Sequence, residues 1–312
     1  MIGSVISVIN RVCIVGAGVI GSLFAGHLAQ VCEVFMLTRR REHAGALNRE
    51  GLRVSGKSER HVRVRASADA VTLPSFDVGI IATKATGLRG AVEALEGCFP
   101  DATMMTVLNG LGAEEIVREH GAWPIVSAVT FMSGTRHSDT HVEYILDTET
   151  WLGPYEETPF ERVEEIADLI VSSGLKAEAL PDLRPAQWSK LIFNAAVNPV
   201  AALTGLPHDP HFSAEQEPTD LGHLVRGLVE EGKAVAEAAG IELNDDPWEM
   251  NVLATQRGSA HYPSMLEDVE AHRRTEIDLI TGSLVREAER HDVSVPLHTA
   301  LYGLVKARED SW

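Results

Sequence analysis

Short apolar runs alternate with segments of helical period over the first half of the chain. The predicted strands are Arg11–Val15, Glu33–Leu37, Val62–Arg65, Val78–Thr83, Thr103–Leu108 and Ile125–Thr130. The predicted helices of this half are Ser22–Val31, Leu88–Leu95, Glu114–His120 and Phe160–Ser172, and Val142–Leu152 is predicted as an antiparallel addition. Strands alternating with helices indicate an α/β fold with a Rossmann-type, doubly wound, mostly parallel sheet.

The pattern changes to helical period alone after Pro185, where no strand is predicted. The predicted helices are Trp188–Leu203, Leu221–Ala239, Met265–His291 and Thr299–Arg308, with a long proline-rich loop at Leu206–Pro218. The loop Leu180–Pro185 holds two prolines and the acid Asp182, which favours a domain boundary there. We therefore expect a Rossmann domain over residues 1–182 and an all-helical domain over residues 183–312.

Composition narrows the class of protein. The net charge of the 312 residues is −18, which argues against a general nucleic-acid binder. No apolar run is long enough to span a bilayer, and the first ten residues lack the basic start and cleavage site of a signal peptide. Three scattered cysteines suit neither a disulfide framework nor a zinc site. We expect a cytoplasmic protein without membrane or nucleic-acid partners.

A glycine motif follows the first predicted strand and opens the first predicted helix. Gly16 permits a tight turn, Gly18 lets the backbone approach a pyrophosphate, and Gly21 allows close packing of helix on strand. The helix N-terminus then favours the phosphate charge. In this context the motif predicts dinucleotide binding, although a tight turn without ligand would have the same spacing.

The end of the second strand indicates which dinucleotide is bound. NAD sites usually have an acid there, whereas this chain has Arg39 and two further arginines. A guanidinium can bind a 2′-phosphate and stack on adenine, so we predict NADP(H). FAD is less favoured, because nothing else in the chain suggests a flavin site. Lys84 and Asn109 follow two later strands, and we expect both to line the cofactor side of the sheet edge.

A polar stripe follows an otherwise apolar helix in the second half. Lys190, Asn194 and Asn198 are spaced four residues apart and therefore share one helix face. Buried polar groups without partners cost about 1–3 kcal/mol each, so these side chains need partners. Either they bond backbone or water at a domain seam, or they bind a polar substrate. Pro199 is expected to end or kink this helix.

An acid falls in the apolar stripe of the helix predicted to begin near Met265. Glu276 shares a face with Val269 and Ile280, and a carboxylate there needs a cationic partner. Lys190 would serve, and such pairs tune catalytic pKa values. A structural ion pair with Arg273 or Arg274 is the alternative.

Two other groups of residues have ordinary structural explanations. Ser264 with Glu267 matches a capping box, and capping is favoured over substrate binding from spacing alone. Two pairs of nearby histidines, His137 with His141 and His208 with His211, have no further ligands at metal spacing and lie in segments predicted to be exposed. No metal is expected.

Five blocks of the sequence together resemble the ketopantoate reductase (2-dehydropantoate 2-reductase) family over nearly the whole chain. They are the GAGVIG motif from Gly16, Lys84-Ala85, Asn109-Gly110, WSKLIFNAAVNPVAAL over Trp188–Leu203, and SMLEDVEAHRRTEID over Ser264–Asp278. The last two blocks are specific to that family. The resemblance implies a Rossmann domain, a helical domain, and NADPH-dependent reduction of a small-molecule 2-oxo acid between them, with pantothenate biosynthesis as the pathway.

The resemblance also implies roles for individual residues. Lys190 matches the family's catalytic lysine, and Glu276 matches the glutamate that holds that lysine and a substrate hydroxyl. Lys84 matches a cofactor-side lysine. The positions that contact substrate or nicotinamide are matched by Asn109, Asn194, Asn198 and Ser264.

The chain departs from the family pattern at two places, where the substrate is left open. Thr86 and Gly87 stand where an aromatic residue and a glutamine are frequent, and the segment Gly134–Gly153 replaces a glycine-rich hairpin. Alternatives are the same chemistry on another 2-oxo acid, a non-catalytic NADP-binding redox sensor, and a β-hydroxyacid dehydrogenase relative. The last leaves the two asparagines and the Ser264 block unexplained. A homodimer is one oligomeric state open to the chain.

Overall fold

A computed structural model describes residues 9–256 and 262–312. Within these residues the chain forms two compact units. The first unit runs through Leu108 and resumes over Glu114–Leu183, and the second contains Asn109–Ala113 together with Arg184–Trp312. A five-residue segment thus belongs to the second unit although the chain before and after it belongs to the first, which the sequence pattern did not indicate.

The elements are numbered along the chain. The strands are β1 Arg11–Val15, β2 Glu33–Leu37, β3 Leu52–Gly56, β4 Arg60–Val62, β5 Arg65–Ser67, β6 Val78–Ile81, β7 Thr103–Thr106, β8 Ile125–Thr130, β9 Ser133–Ser138, β10 His141–Leu146, β11 Thr150–Tyr155 and β12 Ala177–Ala179. The helices are α1 Val19–Leu28, α2 Arg41–Glu50, α3 Ala85–Glu93, α4 Ala113–His120, α5 Phe160–Ser172, α6 Arg184–Thr204, α7 Leu221–Ala238, α8 Pro247–Thr255, α9 Ser264–Glu270, α10 Thr281–Arg290 and α11 Pro296–Glu309.

An eight-stranded sheet forms the centre of the first unit, in the order β12-β11-β8-β7-β6-β1-β2-β5. Its pairs are parallel except β11 with β8. β6, β7 and β8 are buried at every position, as expected of continuous apolar runs covered on both faces. The chain leaves β1 for β2 on one side, and β6 pairs with β1 on the other, which makes a topological switch point at β1. The predicted Rossmann-type class is confirmed.

A second, four-stranded sheet in the order β4-β3-β10-β9 was not predicted. Helix α1 approaches it closely, since a Cβ on Gly26 would lie 2.5 Å from Cγ2 of Val54 in β3. The predicted strand Val62–Arg65 is wrong, because β4 ends at Val62, β5 begins at Arg65, and Arg63 and Val64 link them. The predicted single addition Val142–Leu152 is likewise two strands, β10 and β11, which belong to different sheets. Within Gly134–Gly153 the chain forms a hairpin, β9 with β10.

Helices alone form the described part of the second unit beyond Arg184. α6 is central and contacts α7, α8, α9, α10 and α11 through a core that includes Leu191, Ile192 and Ala196. A Cβ on Gly232 of α7 would lie 2.7 Å from Cγ2 of Ile192, so the two helices pack closely. Pro199 does not end α6, which continues to Thr204. No helix among the described residues is both long and apolar enough to cross a membrane.

The long helix predicted over Met265–His291 is wrong. α9 ends at Glu270, and His272 has a φ of 49°, in the left-handed region where helices commonly stop. The Arg273 N–H donates to the Asp268 carbonyl at 2.8 Å, which closes the helix end. Ten residues of irregular chain then lead to α10. Helices α2 and α8 were missed, α2 because its residues are largely polar.

A partly buried carboxylate on α7 caps the start of α11. Glu231 accepts hydrogen bonds from the N–H groups of Leu297 and His298 at 2.9 and 3.0 Å, and from His298 Nδ1 at 3.0 Å. Burial raises the pKa of Glu231, but these bonds outweigh burial and the net pKa is lowered. Glu231 therefore stabilises the folded protein most when it is ionised.

Glu231→Gln should lower the free energy of unfolding by about 1–3 kcal/mol at neutral pH, because the charge-assisted bonds at the helix start weaken. The stabilisation by wild-type Glu231 is present above the unfolded-state pKa of about 4.3 and is lost as pH falls through the lower folded value. Urea unfolding from pH 7 to pH 3 should show the two proteins converge. Exposed Glu237→Gln on the same helix is the control. A constant difference at all pH values would contradict the assignment.

Candidate active site

The glycine turn of the first unit lies between β1 and α1. Gly16 has a φ of 105°, and its N–H donates to the Leu37 carbonyl at 2.9 Å, which ties the turn to the end of β2. A Cβ on Gly16 would meet Thr83 at 2.8 Å, and one on Gly21 would lie 2.1 Å from the Gly16 carbonyl oxygen. Neither position accommodates another residue without moving backbone.

The start of α1 fits a pyrophosphate. Gly18 is the N-cap, no side chain bonds the helix start, and no acid occupies the first turn. A Cβ on Gly18 would have its nearest neighbour at 3.9 Å, so the backbone there is open to a bulky anion. Beside the turn, the buried Oγ1 of Thr83 has no hydrogen-bond partner among the described residues. Open N–H groups and a spare hydroxyl are what a dinucleotide phosphate would use.

Two arginines that follow β2 differ in their contacts. Arg40 Nη2 donates to Asp139 Oδ1 at 2.6 Å, at the tip of the β9–β10 hairpin. Arg39 is exposed and makes no hydrogen bond or ion pair in the part of the chain that the structure describes. The only acid of β2, Glu33, pairs with Arg11 and Arg65 at the opposite end of the strand. The guanidinium of Arg39, unlike that of Arg40, is thus available to a ligand.

Lys84 lies beyond the carboxyl end of β6. It is exposed and forms the N-cap of α3, immediately after Thr83. It therefore shares the sheet edge that carries the glycine turn, since β1 and β6 are parallel neighbours.

In the second unit, Lys190 and Glu276 interact. Lys190 is partly buried on α6, and Glu276 is 8% exposed on the chain between α9 and α10. Burial lowers the pKa of Lys190 to about 8, and attraction to the Glu276 carboxylate opposes part of that change. The pKa of the amine thereby lies near physiological pH, where the group can both hold and release a proton. Glu276 does not share a helix face with Val269, because α9 has already ended.

Asn109 also belongs to this group. Its Nδ2 donates to Glu276 Oε2 at 3.2 Å. The residues after Asn109 also contact the segment that follows Glu276. The Leu111 N–H donates to the Leu279 carbonyl at 2.9 Å, and Gly110 has a φ of 94°. The sequence placed Asn109 at the cofactor edge and gave no sign of its bond to Glu276. The Asn-Gly pair two residues after β7 permits such a close approach, but it does not identify the partner.

Two asparagines continue the Lys190 face of α6. Asn194 is half-buried and Asn198 is 7% exposed. Neither side-chain amide makes a hydrogen bond within residues 9–256 and 262–312. Both amides are thus open to a polar ligand.

The capping box predicted at Ser264 is wrong. Pro263 is the N-cap of α9, and no side chain bonds the helix start. Ser264 is the exposed first residue of the helix. Its hydroxyl is therefore not occupied by capping.

The arginines considered as partners of Glu276 have other acids. Arg273 Nε donates to Asp268 Oδ1 at 2.9 Å. Arg274 lies 3.5 Å from Glu309 and 3.3 Å from Asp310. A structural ion pair with Glu276 is therefore wrong for both.

The paired histidines bond protein groups. His137 contacts Glu143, His141 contacts Ser55, and His211 contacts Asp209. His208 was expected in an exposed loop but is 1% exposed, with Nε2 2.8 Å from Asn251 Oδ1. No cluster of three potential metal ligands occurs among the residues described.

Comparison with known proteins gives one family. A family model described as "Ketopantoate reductase PanE/ApbA" matches residues 12–157, and one described as "Ketopantoate reductase PanE/ApbA C terminal" matches residues 182–309. The 2-dehydropantoate 2-reductase of Pyrococcus horikoshii is 30% identical over 96% of this chain and 97% of that protein.

Solved structures agree. A PanE/ApbA family ketopantoate reductase from Ralstonia eutropha JMP134 superposes with a TM-score of 0.86 at 27% identity, over 96% of this chain and 99% of that one. D-Mandelate dehydrogenase with NADH and anilino(oxo)acetate gives 0.88 at 24% identity, over 96% of this chain and 99% of that one, a likeness of fold.

A Rossmann-type unit followed by a helical unit, shared with these reductases, defines an oxidoreductase. The chain belongs to the ketopantoate reductase family.

Gly110→Ala should destabilise the protein by about 2 kcal/mol or more, because the new Cβ would lie 1.7 Å from the Leu279 carbonyl oxygen. The matched control is Gly303→Ala on α11, where a Cβ meets nothing within 4 Å. That change should be neutral or stabilise by up to about 1 kcal/mol. Urea unfolding of both variants measures the difference. Equal stabilities of the two variants would contradict the close packing of Gly110 against the Leu279 carbonyl.

Proposed function

We propose that the protein reduces a 2-oxo acid to a 2-hydroxy acid with NADPH, and that 2-dehydropantoate, giving pantoate, is the substrate. The interaction of Lys190 with Glu276, beside an asparagine amide, is the observation that carries the proposal. In this proposal residues 1–182 bind the cofactor and residues 183–312, with Asn109, bind the substrate and supply the proton.

NADPH, when bound, supplies the hydride. Gly16, Gly18 and Gly21 would hold its pyrophosphate at the start of α1, where the fold leaves the backbone open. Arg39 would hold the 2′-phosphate, because it has no protein acid to satisfy and no acid ends β2. Lys84 would contribute positive charge at the same edge.

Lys190 is the general acid of the proposed reaction. As an ammonium it donates a hydrogen bond to the ketone oxygen and then protonates the alkoxide that develops there. A positioned acid of this kind is worth about 10²–10⁴-fold in rate. Because burial lowers its pKa to about 8, Lys190 is mostly protonated at neutral pH yet releases its proton readily.

The remaining polar groups bind and orient. Glu276 would attract the ammonium and accept a hydrogen bond from a substrate hydroxyl, while Asn109 holds its second oxygen. The open amides of Asn194 and Asn198, with the uncommitted hydroxyl of Ser264, would hold the substrate carboxylate and carbonyl. Alignment of this kind removes much of the entropic barrier.

Two alternative functions are to be distinguished from this proposal by experiment. The same residues could reduce a different 2-oxo acid, and the fold likeness to D-mandelate dehydrogenase makes the 2-oxo acid of mandelate the first comparison. A non-catalytic NADP-binding redox sensor would have no use for an amine whose pKa lies near physiological pH. Burial also raises the pKa of the Cys13 and Cys32 thiols to about 12 and about 11, which makes both poor redox groups.

A panel of 2-oxo acids, followed by NADPH absorbance, separates these alternatives. The highest kcat/KM on 2-dehydropantoate supports the proposed substrate. A higher value on another 2-oxo acid would reassign the substrate and keep the chemistry. NADPH binding without turnover on any of them favours the sensor.

Lys190→Ala should lower kcat by about 10²–10⁴-fold, because the proton donor is lost. NADPH affinity, measured by fluorescence titration, should stay within about twofold of wild type. The control is Lys233→Ala, a lysine of α7 that pairs with Asp246 and should leave turnover intact. Retained turnover in Lys190→Ala would remove this assignment.

The pH profile of wild-type kcat gives a second check on Lys190. The ammonium is present below a pKa of about 8, so kcat should fall as pH rises through that value. A kcat that stays flat to pH 10 would be inconsistent with Lys190 as the acid.

Arg39→Ala should weaken NADPH binding by about 10–100-fold, since a charge-assisted bond to phosphate is worth about 1.5–3 kcal/mol. NADH binding should change little, because NADH has no 2′-phosphate. Arg49→Ala at the other end of α2 is the matched control and should leave both affinities unchanged. Equal losses of affinity for NADPH and NADH would show that Arg39 does not bind the 2′-phosphate.

A further inference from the structure

The ten residues between α9 and α10 carry Glu276 without regular secondary structure. Local turns order the chain after Glu276, because the Leu279 and Ile280 N–H groups both donate to the Glu276 carbonyl at 3.1 Å. Tertiary contacts add to these bonds, and before Glu276 they replace them. The C-terminal helix α11 supplies contacts on both sides of Glu276 along the chain.

The first contact is with Glu309, near the end of α11. Its Oε1 accepts hydrogen bonds from the Thr275 N–H at 2.6 Å and from Thr275 Oγ1 at 2.7 Å. Glu309 is 4% exposed and Thr275 is 2% exposed. Thr275 Oγ1 in turn accepts from the Ile277 N–H at 3.2 Å, so one buried carboxylate orders the backbone immediately before and after Glu276.

The second contact is with Asp278. Tyr302 of α11 donates from its hydroxyl to Oδ1 at 2.7 Å, and Lys306 Nζ donates to Oδ2 at 3.0 Å. Lys306 also lies 3.4 Å from Glu309 Oε2, which links the two contacts. Because Asp278 is exposed, this contact is the weaker of the two.

We propose that Glu309 is a positioning residue for the proposed reduction, which holds Glu276 against Lys190 through Thr275. The inference rests on the proposed function, since it assigns to Glu309 an effect on the step in which Lys190 donates its proton. Glu309 acts on Glu276 through its hydrogen bonds to Thr275, and it has no role in binding substrate in this proposal.

Loss of the Glu309 carboxylate leaves the buried N–H and hydroxyl of Thr275 without an acceptor. The segment must then shift to find one, and Glu276 shifts with it. Displacement of a catalytic group by about 1 Å can cost about 10²-fold in rate. A residue that only stabilised the fold would change the melting temperature without changing kcat of the folded enzyme.

The experiment measures kcat, KM, NADPH affinity and melting temperature for Glu309→Ala and Glu309→Gln, at a temperature where every variant is folded. Glu309→Ala should lower kcat by about 10–100-fold with little change in NADPH affinity. Glu309→Gln should recover most of kcat, because its amide oxygen still accepts both Thr275 bonds. In Glu309→Ala the basic limb of the kcat profile should move to lower pH, since Glu276 no longer attracts the Lys190 ammonium as strongly.

The matched control is Glu231→Gln, which removes a second carboxylate bonded to α11, at the start of that helix. It should lower the melting temperature and leave kcat and the pH profile unchanged. Thr275→Val and Thr275→Ser answer the same question if Glu309→Ala does not fold. Valine should lower kcat and serine should restore it, because only serine keeps the hydroxyl.

Each outcome decides the matter. Loss of kcat in Glu309→Ala or Thr275→Val, recovered by the conservative variant, supports the inference. Unchanged kcat with a lowered melting temperature, as in Glu231→Gln, overturns it and leaves the proposed function intact. A wild-type enzyme that reduces no 2-oxo acid refutes the proposed function, and the positioning role fails with it.

Discussion

The attraction between the Lys190 ammonium and the Glu276 carboxylate is the interaction on which the proposed site in the second unit depends. Burial alone would drive the lysine toward its neutral form, and the carboxylate prevents that change from going further. The resulting pKa of about 8 is a compromise between these two effects. Both side chains must therefore be held in place, which explains why so many contacts surround a stretch of irregular chain.

Local pattern predicted the elements that fill the two cores. β1, β2, β8 and α5 have the predicted bounds. The three strands are mostly buried apolar runs, and α5 buries one face of an amphipathic pattern. The glycine turn was equally legible, since only glycine tolerates the φ of Gly16 and the approach of Gly21 to its carbonyl. Helical spacing singled out Lys190, Asn194 and Asn198, and the family resemblance added the roles of these residues.

The failures share a physical cause, which is that side chains distant in sequence decided the outcome. The stretch Met265–His291 has helical period, yet His272 adopts a left-handed conformation and Glu309 binds the chain beyond it. Helical spacing therefore paired Glu276 with Lys190 by an incorrect route. β3 was missed because one of its partners is β10, far along the chain, and β4 because it has only three residues. The bond from Asn109 to Glu276 spans 167 positions, beyond any local signal.

The segment Asn109–Ala113 has a consequence for how the chain can be divided. It follows β7 after only two residues, but it packs with residues that come after Arg184. A fragment that starts at Arg184 would lack the amide that holds Glu276 and the glycine that fits against Leu279. No single cut separates the two units with each intact, so a fragment with the helical half alone would not contain its complete unit.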